Sequence, residues 1–341
     1  MRILIVSDAW YPQLNGVVRA LSTIRDKLIE MGNEVEVIGP TGFKSVPCPT
    51  YPEIRLAITG PGRVGRMIQA SDPDAIHIAT EGPLGWCARH WLKRRNIPFT
   101  TSFHTMFPLY LNIRFGLPEN WTFAGLRLFH NAATATMYST ETLRALLAKQ
   151  GFKSLVQWVR GVDTELFRPV APVDLKQPGP ILMYVGRMAV EKNLEQFLSL
   201  QIAGTKIMVG EGPQRAALER RYPEAIFLGA KYADELVAHY AAADVLVFPS
   251  KTDTLGLVML EAVACGIPVA ALPVPGPNDV IGDSGAGVLD HDLGNAIEKA
   301  IGIDPQHCRA HALKHSWDRS AMEFFNNLVP IKVAELQGET A

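Results

Sequence analysis

Two cations stand close together near the middle of the chain, in Tyr184-Val-Gly-Arg187 and the following Glu191-Lys-Asn193. A short apolar run ends at Gly186, Arg187 follows at once, and Lys192 comes where a helix is expected to begin. Arginine offers a fork of donors, lysine a compact charge, and a helix start adds unpaired backbone N–H groups. This pattern is typical of a diphosphate site, although a solvated arginine and a helix-capping lysine explain the segment equally well when it is taken alone.

Two later segments extend this candidate site. Gly210-Glu211-Gly-Pro213 follows the next apolar run, and its glycines let a ligand approach the backbone. Pro249-Ser-Lys-Thr-Asp253 follows another run and leads into a helix that carries Glu261. Asp253 and Glu261 could each accept two hydrogen bonds from a vicinal diol, which suits a ribose or a hexose. Isolated acids of this kind are more often surface charges.

The elements that carry these residues alternate between apolar strands and helices in both halves of the chain. Such alternation predicts an α/β protein with two Rossmann-like, doubly wound parallel-sheet domains. We expect the first domain over 1–163, a proline-rich linker over 164–180, the second domain over 181–315, and a C-terminal helix over 316–341 that returns to the first. The expected strands are 2–7, 34–38, 75–79, 98–103, 134–139 and 155–159, then 181–185, 206–209, 225–228, 245–248 and 268–271.

Charge is divided unevenly between the halves. Residues 1–163 hold 18 Lys and Arg against 12 Asp and Glu, whereas the remainder holds 15 against 22, within totals of 33 and 34. A basic half suggests an anionic partner surface, whether membrane or nucleic acid, although ordinary surface variation explains it as well. No run approaches the ~20 apolar residues of a membrane span, so we expect a cytoplasmic protein.

The combination Gly186-Arg187, Glu191-Lys-Asn193, Gly210-Glu-Gly-Pro213 and Pro249-Ser-x-Thr-Asp-Thr-x-Gly-x-x-x-x-Glu261 resembles the retaining GT-B glycosyltransferases of family GT4. The chain resembles in particular their small lipid-directed and mannosyl-transferring bacterial members. The resemblance covers nearly the whole chain, and it implies two domains facing each other across a cleft. In the first half it continues through four segments, which are 8–16, 76–83, 102–105 and 160–163.

The resemblance implies a role for each matching residue. Arg187 and Lys192 would hold the donor diphosphate, Glu261 would bind the ribose, and Asp253 would orient the transferred sugar. His104 would lie beside that sugar, and we count it with Arg187, Lys192 and Asp253 as catalytic. The full donor-binding set is Gly16, Gly186, Arg187, Lys192, Gly210, Glu211, Asp253, Thr254, Leu255, Gly256 and Glu261.

Two positions depart from the family pattern. The first acid of the family's paired-glutamate motif is Asp253 here, and Leu255 stands where an aromatic residue is common. These departures leave the identity of the sugar open, and no residue decides between a UDP and a GDP donor.

The implied reaction is transfer of a hexosyl or hexuronosyl group from a UDP- or GDP-sugar to a membrane lipid such as diacylglycerol. It would proceed with retention and without a metal or cofactor, since cationic side chains stabilise the departing diphosphate. The alternatives are a GDP-mannose-dependent mannosyltransferase acting on a phosphoinositide, polyprenyl-linked or soluble saccharide acceptor, and a non-catalytic nucleotide-binding module. We expect no nucleic-acid partner.

An oxidoreductase is the main rival among Rossmann-like enzymes. The first strand is followed by Ser7-Asp-Ala-Trp-Tyr-Pro12 instead of a glycine-rich fingerprint, and Ile38-Gly-Pro40 stands where an acid would bind a ribose. A dinucleotide is therefore disfavoured. Asp72-Pro-Asp74 imitates the metal-binding motif of the other glycosyltransferase fold, but its place between a helix and a strand indicates turn chemistry.

The basic half contains residues suited to a membrane surface. Tryptophan rings and long cations are typical interfacial anchors, which favours peripheral association with the anionic inner face of the cell membrane. The alternative is that the aromatic rings are core and the cations complement a helix terminus. The candidate acceptor and membrane residues are Arg63, Arg66, Trp86, Trp91, Lys93, Arg94 and Arg95.

Overall fold

The structure is a computed structural model that describes residues 1–13, 15–48, 51–251, 253 and 255–331, without the side chains of 51–54 and 114. The chain forms two compact units. The first contains Met1–Arg160 and the chain from Trp317 onward, and the second is Gly161–Ser316. The stretch expected as a linker, 164–180, therefore belongs to the second unit.

The first unit is built on a parallel sheet with helices between its strands. Its strands are β1 (Arg2–Val6), β2 (Glu34–Ile38), β3 (Ser45–Cys48), β4 (Tyr51–Ala57), β5 (Ala75–Ile78), β6 (Thr100–Ser102), β7 (Ala135–Tyr138) and β8 (Leu155–Gln157). Its helices up to this point are α1 (Gly16–Glu30), α2 (Pro61–Ser71), α3 (Pro83–Lys93), α4 (Phe107–Phe115), α5 (Glu119–His130) and α6 (Glu141–Lys149).

Over the described residues this sheet has six strands in the order β2-β1-β5-β6-β7-β8, and β3 pairs antiparallel with β4. All four residues of β5 are buried, as are the last four of β1, because helices cover the faces of a parallel sheet. The strand order changes direction between β1 and β5. The loops after these two strands therefore stand where open α/β sheets bind ligands.

The second unit repeats this plan. Its strands are β9 (Ile181–Val185), β10 (Thr205–Val209), β11 (Ile226–Gly229), β12 (Val245–Phe248), β13 (Val269–Ala271) and β14 (Gly287–Leu289). Its helices are α7 (Leu194–Leu198), α8 (Arg215–Arg221), α9 (Ala233–Ala241), α10 (Leu257–Ala264), α11 (Pro275–Val280), α12 (Leu293–Ala300) and α13 (Pro305–Ala312).

In the described ranges the second sheet is also parallel and six-stranded, in the order β11-β10-β9-β12-β13-β14. This is the order of a dinucleotide-type Rossmann sheet, and it changes direction between β9 and β12. One face of the sheet packs on a cluster that includes Met183 and Val209, and the other on a cluster that includes Tyr184 and Val247. The α/β class with two doubly wound sheets is thereby confirmed.

The last described helix, α14 (Trp317–Asn327), belongs to the first unit and packs against α1. The indole Nε1 of Trp158 donates a hydrogen bond of 3.1 Å to Ser320 Oγ. The ring of Phe324 lies 4.7 Å from that of Trp158 and 4.8 Å from that of His77 on β5. Helix α14 thus completes the core of the first unit, which begins with β1.

Candidate active site

The second unit gathers three of the predicted segments at one edge of its sheet. Because β9, β10 and β12 are parallel, with β9 between the other two, their carboxyl ends open at the same edge. Gly186 and Arg187 follow β9, Gly210 and Glu211 follow β10, and the loop containing Asp253 follows β12. This edge includes the change of strand order between β9 and β12, so it is the candidate ligand site of the unit.

The loops after β9 and β10 touch through their backbones. Gly210 has a φ of +138°, and a Cβ placed there would lie 1.9 Å from the carbonyl oxygen of Gly186. Only glycine satisfies both the backbone angle and the close approach. The prediction assigned this glycine to ligand access, whereas contact between the two loops already requires it.

Lys192 and Asp253 form an ion pair at this edge. Lys192 ends a single helical turn, Val190–Lys192, and its Nζ lies 2.6 Å from Oδ1 and 2.8 Å from Oδ2 of Asp253. The two side chains are only 18% and 15% exposed. Asn193 ties the loops together, since its Nδ2 donates to the carbonyl of Pro249 over 3.1 Å. The residue expected at the phosphate and the residue expected at the sugar therefore lie in direct contact.

Glu261 is buried, and a tyrosine orients it. The side chain lies on α10 with 3% of the residue exposed, and Oε2 accepts a hydrogen bond of 3.0 Å from the Tyr240 hydroxyl. Tyr240 lies on α9 and is fully buried. A buried carboxylate needs donors to replace its lost hydration. Tyr240 supplies one such donor and fixes the direction of the carboxylate.

Two further predicted donor residues, Arg187 and Glu211, differ in how their side chains are placed. Arg187 is half-buried directly after Gly186. Glu211 turns its carboxylate to Arg215 on α8 and keeps 56% of that side chain exposed. Its carbonyl oxygen instead accepts the backbone N–H of Met188 over 2.8 Å. Glu211 therefore holds the loop through its backbone while its side chain serves a surface ion pair.

Three predicted residues follow Asp253. Leu255 packs against the apolar core of the second unit, which explains why an aliphatic residue fits there. Gly256 has a φ of +85° and immediately precedes α10. Thr254 lies outside the described residues.

His104, in the first unit, is half-buried and begins a chain of hydrogen bonds that runs into the sheet. Its Nε2 lies 2.7 Å from Ser102 Oγ on β6. Ser102 Oγ lies 3.0 Å from Nε2 of His77 on β5, and Nδ1 of His77 lies 2.9 Å from Thr100 Oγ1. His77, Thr100 and Ser102 are all buried.

Arg160 determines which nitrogen of His104 carries the proton. A guanidinium group only donates, so the contact of 2.9 Å from its Nη2 requires Nδ1 of His104 to accept. His104 is therefore protonated on Nε2 and donates to Ser102. Burial, and next the charge of Arg160, lower the pKa of His104 well below its usual range, and burial lowers the pKa of His77 to about 3. Both imidazoles are neutral at physiological pH.

Gly16 opens α1 in the first unit. Asn15 caps this helix by accepting hydrogen bonds of 3.0 Å from the N–H groups of Val17 and Val18. A Cβ added to Gly16 would meet no described heavy atom within 4 Å, and its φ lies outside the region that favours glycine. Neither packing nor backbone conformation in the described structure requires glycine here.

Both halves of the chain match glycosyltransferase family models. Residues 14–166 match the model described as Glycosyltransferase Family 4, and residues 179–302 match that of Glycosyl transferases group 1. A GDP-mannose-dependent alpha-mannosyltransferase from Mycobacterium tuberculosis is 30% identical over 88% of this chain and 88% of its own length. The chain belongs to glycosyltransferase family 4.

Other relatives of this family 4 glycosyltransferase differ in their named activity. An alpha-monoglucosyldiacylglycerol synthase from Streptococcus pneumoniae is 26% identical over 96% of this chain and 84% of its own length. Among solved structures, a sucrose-phosphate synthase from Thermosynechococcus elongatus superposes with a TM-score of 0.77 at 19% identity, covering 95% of this chain and 97% of its own. That likeness confirms the GT-B fold.

The basic residues predicted for a membrane surface divide into exposed and buried members. Arg66, Lys93, Arg94 and Arg95 are exposed, and so is Trp86 at 36%. No helix in the described ranges has the length and apolarity that crossing a bilayer requires.

The prediction that Trp91 is an interfacial anchor is wrong. It is only 5% exposed and belongs to the apolar core of the first unit. Arg63, although exposed, stacks over Phe43 at 4.6 Å and donates to the carbonyl of Gly42 over 2.8 Å. Neither side chain is therefore arranged as an anchor in the exposed basic surface.

Both acids of the Asp72-Pro-Asp74 sequence interact with the same residue of the first unit, Arg2. Asp72 forms an ion pair of 2.6 Å with the guanidinium of Arg2, and Asp74 accepts the backbone N–H of Arg2 over 2.7 Å. These contacts fit the turn interpretation. Across the described residues, no three His, Cys, Asp or Glu side chains are grouped as a metal site would require.

Sequence reasoning missed a structural role for Asp8, which lies two residues after the first strand. Its carboxylate accepts the N–H groups of Leu84 and Gly85 at 2.8 and 3.2 Å and so caps α3. Burial raises the pKa of Asp8 to about 6 despite these hydrogen bonds. The signal in the sequence was an acid two residues after an apolar strand, and its partner in α3, 76 positions away, could not be predicted from that signal.

Proposed function

We propose that this family 4 glycosyltransferase is a retaining hexosyltransferase that takes its sugar from a nucleotide diphosphate donor, with GDP-mannose the first candidate, and transfers it to a membrane lipid. The observation that carries the proposal is the contact of Lys192 with Asp253 at the carboxyl edge of β9 and β12. A cation suited to a phosphate and a carboxylate suited to a sugar hydroxyl stand there side by side.

We assign the donor diphosphate to Arg187 and Lys192. The Lys192 ammonium has three donors, so it can keep one hydrogen bond to Asp253 while it donates another to a phosphate oxygen. Asp253 in turn holds the ammonium of Lys192 in place before the donor arrives. Glu261, oriented by Tyr240, would accept the hydroxyls of the ribose.

In the reaction that we propose, the acceptor hydroxyl oxygen bonds to the anomeric carbon on the face from which the diphosphate departs. The carbon–oxygen bond to the diphosphate breaks, and the hydroxyl proton passes to a diphosphate oxygen. The products are a glycoside with retained configuration and a nucleoside diphosphate. Negative charge grows on the leaving group, so Arg187 and Lys192 stabilise the transition state more than the ground state. We propose that no divalent metal is needed.

We also propose that the donor phosphate or the acceptor lies beside Gly16, at the N-terminus of α1. A helix N-terminus attracts anions, and a glycine that the described fold does not require leaves room for a ligand beside the backbone. This position also follows β1, at the change of strand order in the first sheet.

The choice of donor and acceptor rests on the relatives. The Mycobacterium tuberculosis relative is named for GDP-mannose, and the Streptococcus pneumoniae relative for a glucosylated diacylglycerol. Exposed cations on α2 and α3 fit an anionic membrane surface as the place where a lipid acceptor is met. We therefore propose peripheral association with the inner face of the membrane.

The deciding experiment incubates the purified chain with GDP-mannose, UDP-glucose, UDP-galactose or UDP-glucuronate, each with a bacterial lipid extract or with soluble saccharides, in the presence and absence of EDTA. Labelled product is extracted and its anomeric configuration determined. Transfer from GDP-mannose to lipid, with retention and with EDTA present, supports the proposal. Hydrolysis without transfer, inversion, or nucleotide binding with no reaction would reject it in favour of a hydrolase, an inverting enzyme or a binding module.

A further inference from the structure

The first unit has a surface cavity of about 430 Å³ between α2 and α3, in a different unit from the predicted diphosphate and sugar residues. Small-molecule sites commonly enclose about 300–1,000 Å³, so this cavity has room for more than a bare ion. Six side chains dominate its chemistry: Arg66, Gln69, His90, Trp91, Arg94 and Arg95.

The cavity is cationic, and none of its lining residues is acidic. Arg66 comes from α2, while Arg94 and Arg95 follow the last turn of α3. In the described part of the chain no carboxylate pairs with any of these three guanidinium groups. Three arginines at one cavity repel one another unless an anion joins them. The described side chains supply no such anion at the cavity.

The floor of the cavity is rigid. The Trp91 indole is 5% exposed and lies across α2 at Gly65, where an added Cβ would be 2.0 Å from Nε1. Only glycine permits that approach, so the two helices are held at a fixed spacing. The guanidinium of Arg95 lies 4.3 Å from the ring centroid of Trp91, a cation–π contact that positions this charge over the floor.

The N-terminal turn of α2 adds to the positive potential. Pro61 and Gly62 line the cavity at that end, and Nη1 of Arg66 lies 4.0 Å from the place that a Cβ of Gly62 would occupy. Gly60, the residue before this helix, provides no side-chain cap. The helix dipole and the arginine therefore present positive charge at one side of the cavity.

We propose that this cavity binds a phosphate group carried by a small polar molecule. Guanidinium forks match the oxygens of a phosphate, and a neutral glutamine and a histidine can donate to a polyol beside it. The phosphate could belong to a lipid headgroup or to a soluble phosphorylated compound, and the chemistry of recognition is the same for both. The site does not depend on the proposed donor chemistry, because all of its residues lie in the first unit.

The test measures binding without any nucleotide sugar, so its failure is separate from failure of the proposed transfer reaction. Inorganic phosphate and glycerol 3-phosphate are titrated calorimetrically into the full chain. Co-sedimentation is measured with vesicles of phosphatidylcholine, with and without phosphatidic acid. The variants are Arg66→Gln and Arg95→Gln, and the control is Lys149→Gln, which removes one exposed charge from α6 of the same unit, away from the cavity lining and from the proposed membrane surface.

We expect each arginine variant to weaken binding about tenfold or more, as for loss of a hydrogen bond to a charged group, and Lys149→Gln to leave it nearly unchanged. Loss of glycerol 3-phosphate binding identifies a soluble ligand, whereas loss confined to phosphatidic acid vesicles identifies a lipid headgroup. Equal losses in all three variants would show diffuse surface charge and overturn the site. Absence of binding by every probe, with the wild-type chain folded by circular dichroism, would also overturn it.

Discussion

The Nη2 of Arg160 donates a hydrogen bond of 2.9 Å to Nδ1 of His104. Arg160 is itself 7% exposed, and its guanidinium lies 3.4 Å from the ring centroid of Trp158. Burial lowers the pKa of Arg160 to about 9, which leaves it charged at neutral pH. A fixed, charged donor therefore faces one nitrogen of His104, and the proton of the imidazole is confined to the other.

We expect Arg160→Met to raise the pKa of His104 toward its usual range, because the arginine charge is one cause of its depression. Burial remains the larger cause, so the rise is partial. If transfer requires neutral His104, the variant loses activity as pH falls toward 5, while the wild type holds its rate. The measurement is the pH profile of transfer, with an NMR titration of the His104 ring.

The matched control for this substitution is Arg89→Met. Arg89 is also 7% exposed and also lies over a tryptophan, but it donates to the carbonyls of Leu128 and Phe129. It should alter stability without changing the shape of the pH profile. Parallel profiles for wild type and Arg160→Met would show that the arginine does not govern the protonation of His104.

Lys192→Ala should lower transfer by about a hundredfold or more while the chain stays folded, since a donor aimed at developing charge contributes most in the transition state. The control is Lys231→Ala, which removes a lysine of similar exposure, 20%, from its ion pair with Glu235. Single-turnover rates with saturating donor separate the chemical step from binding. Rates within a few-fold of wild type for Lys192→Ala would remove this lysine from the diphosphate site.

Gly16→Ala should leave the free energy of unfolding unchanged or slightly higher, because alanine favours a helix and the added methyl group meets no described atom. We expect the same change to raise the KM for the donor or the acceptor, since the methyl group would occupy ligand space. Gly125→Ala on α5 is the comparison, because a Cβ there also meets no described atom within 4 Å. Equal KM values for all three proteins would mean that no ligand approaches Gly16.

The buried His77 should make the first unit less stable in acid. Its pKa is about 3 in the folded chain and near 6.5 when unfolded, so its neutral form contributes stability that is complete above pH 6.5 and is lost as pH falls toward 3. A tenfold change in a protonation equilibrium corresponds to about 1.4 kcal/mol, so the stability lost by pH 5 is about 2 kcal/mol. His104 adds a loss of the same sign.

Urea unfolding near pH 7 and near pH 5 measures this effect. We expect His77→Gln to be less stable at neutral pH, because it loses hydrogen bonds, but to show a smaller difference between the two pH values. His307→Gln, at an exposed position, should retain the wild-type difference. A difference in His77→Gln as large as that of the wild type would assign the acid sensitivity to other groups.

Most of the parallel sheet could be predicted from the sequence, because buried strands are continuous apolar runs between turn residues. The antiparallel pair of β3 and β4 was not predicted. Pro47 lies inside one of its strands, and the hairpin has no apolar alternation strong enough to stand out. The strand expected over 98–103 is only Thr100–Ser102, although the backbone N–H of Phe103 still donates to the carbonyl of Met137 over 2.9 Å.

At the candidate site, the sequence indicated which residue types follow each strand but not which of them touch. The contact of Lys192 with Asp253 joins loops 61 positions apart, and the contact of Tyr240 with Glu261 joins two helices. Trp91 was mistaken for a surface residue because a tryptophan among cations is equally typical of an interface and of a packed helix. Only the glycine at position 65, which accommodates the indole, distinguishes the two cases.

Because α14 completes the core against Trp158, the first unit is discontinuous in the chain. A ribosome synthesises all of Gly161–Ser316 before it reaches Ser320, whose hydroxyl receives the indole N–H across 162 positions. The core of the first unit therefore cannot close until the whole second unit and α14 have been synthesised. In a nascent chain, the first unit is the first to be started and the last to be completed.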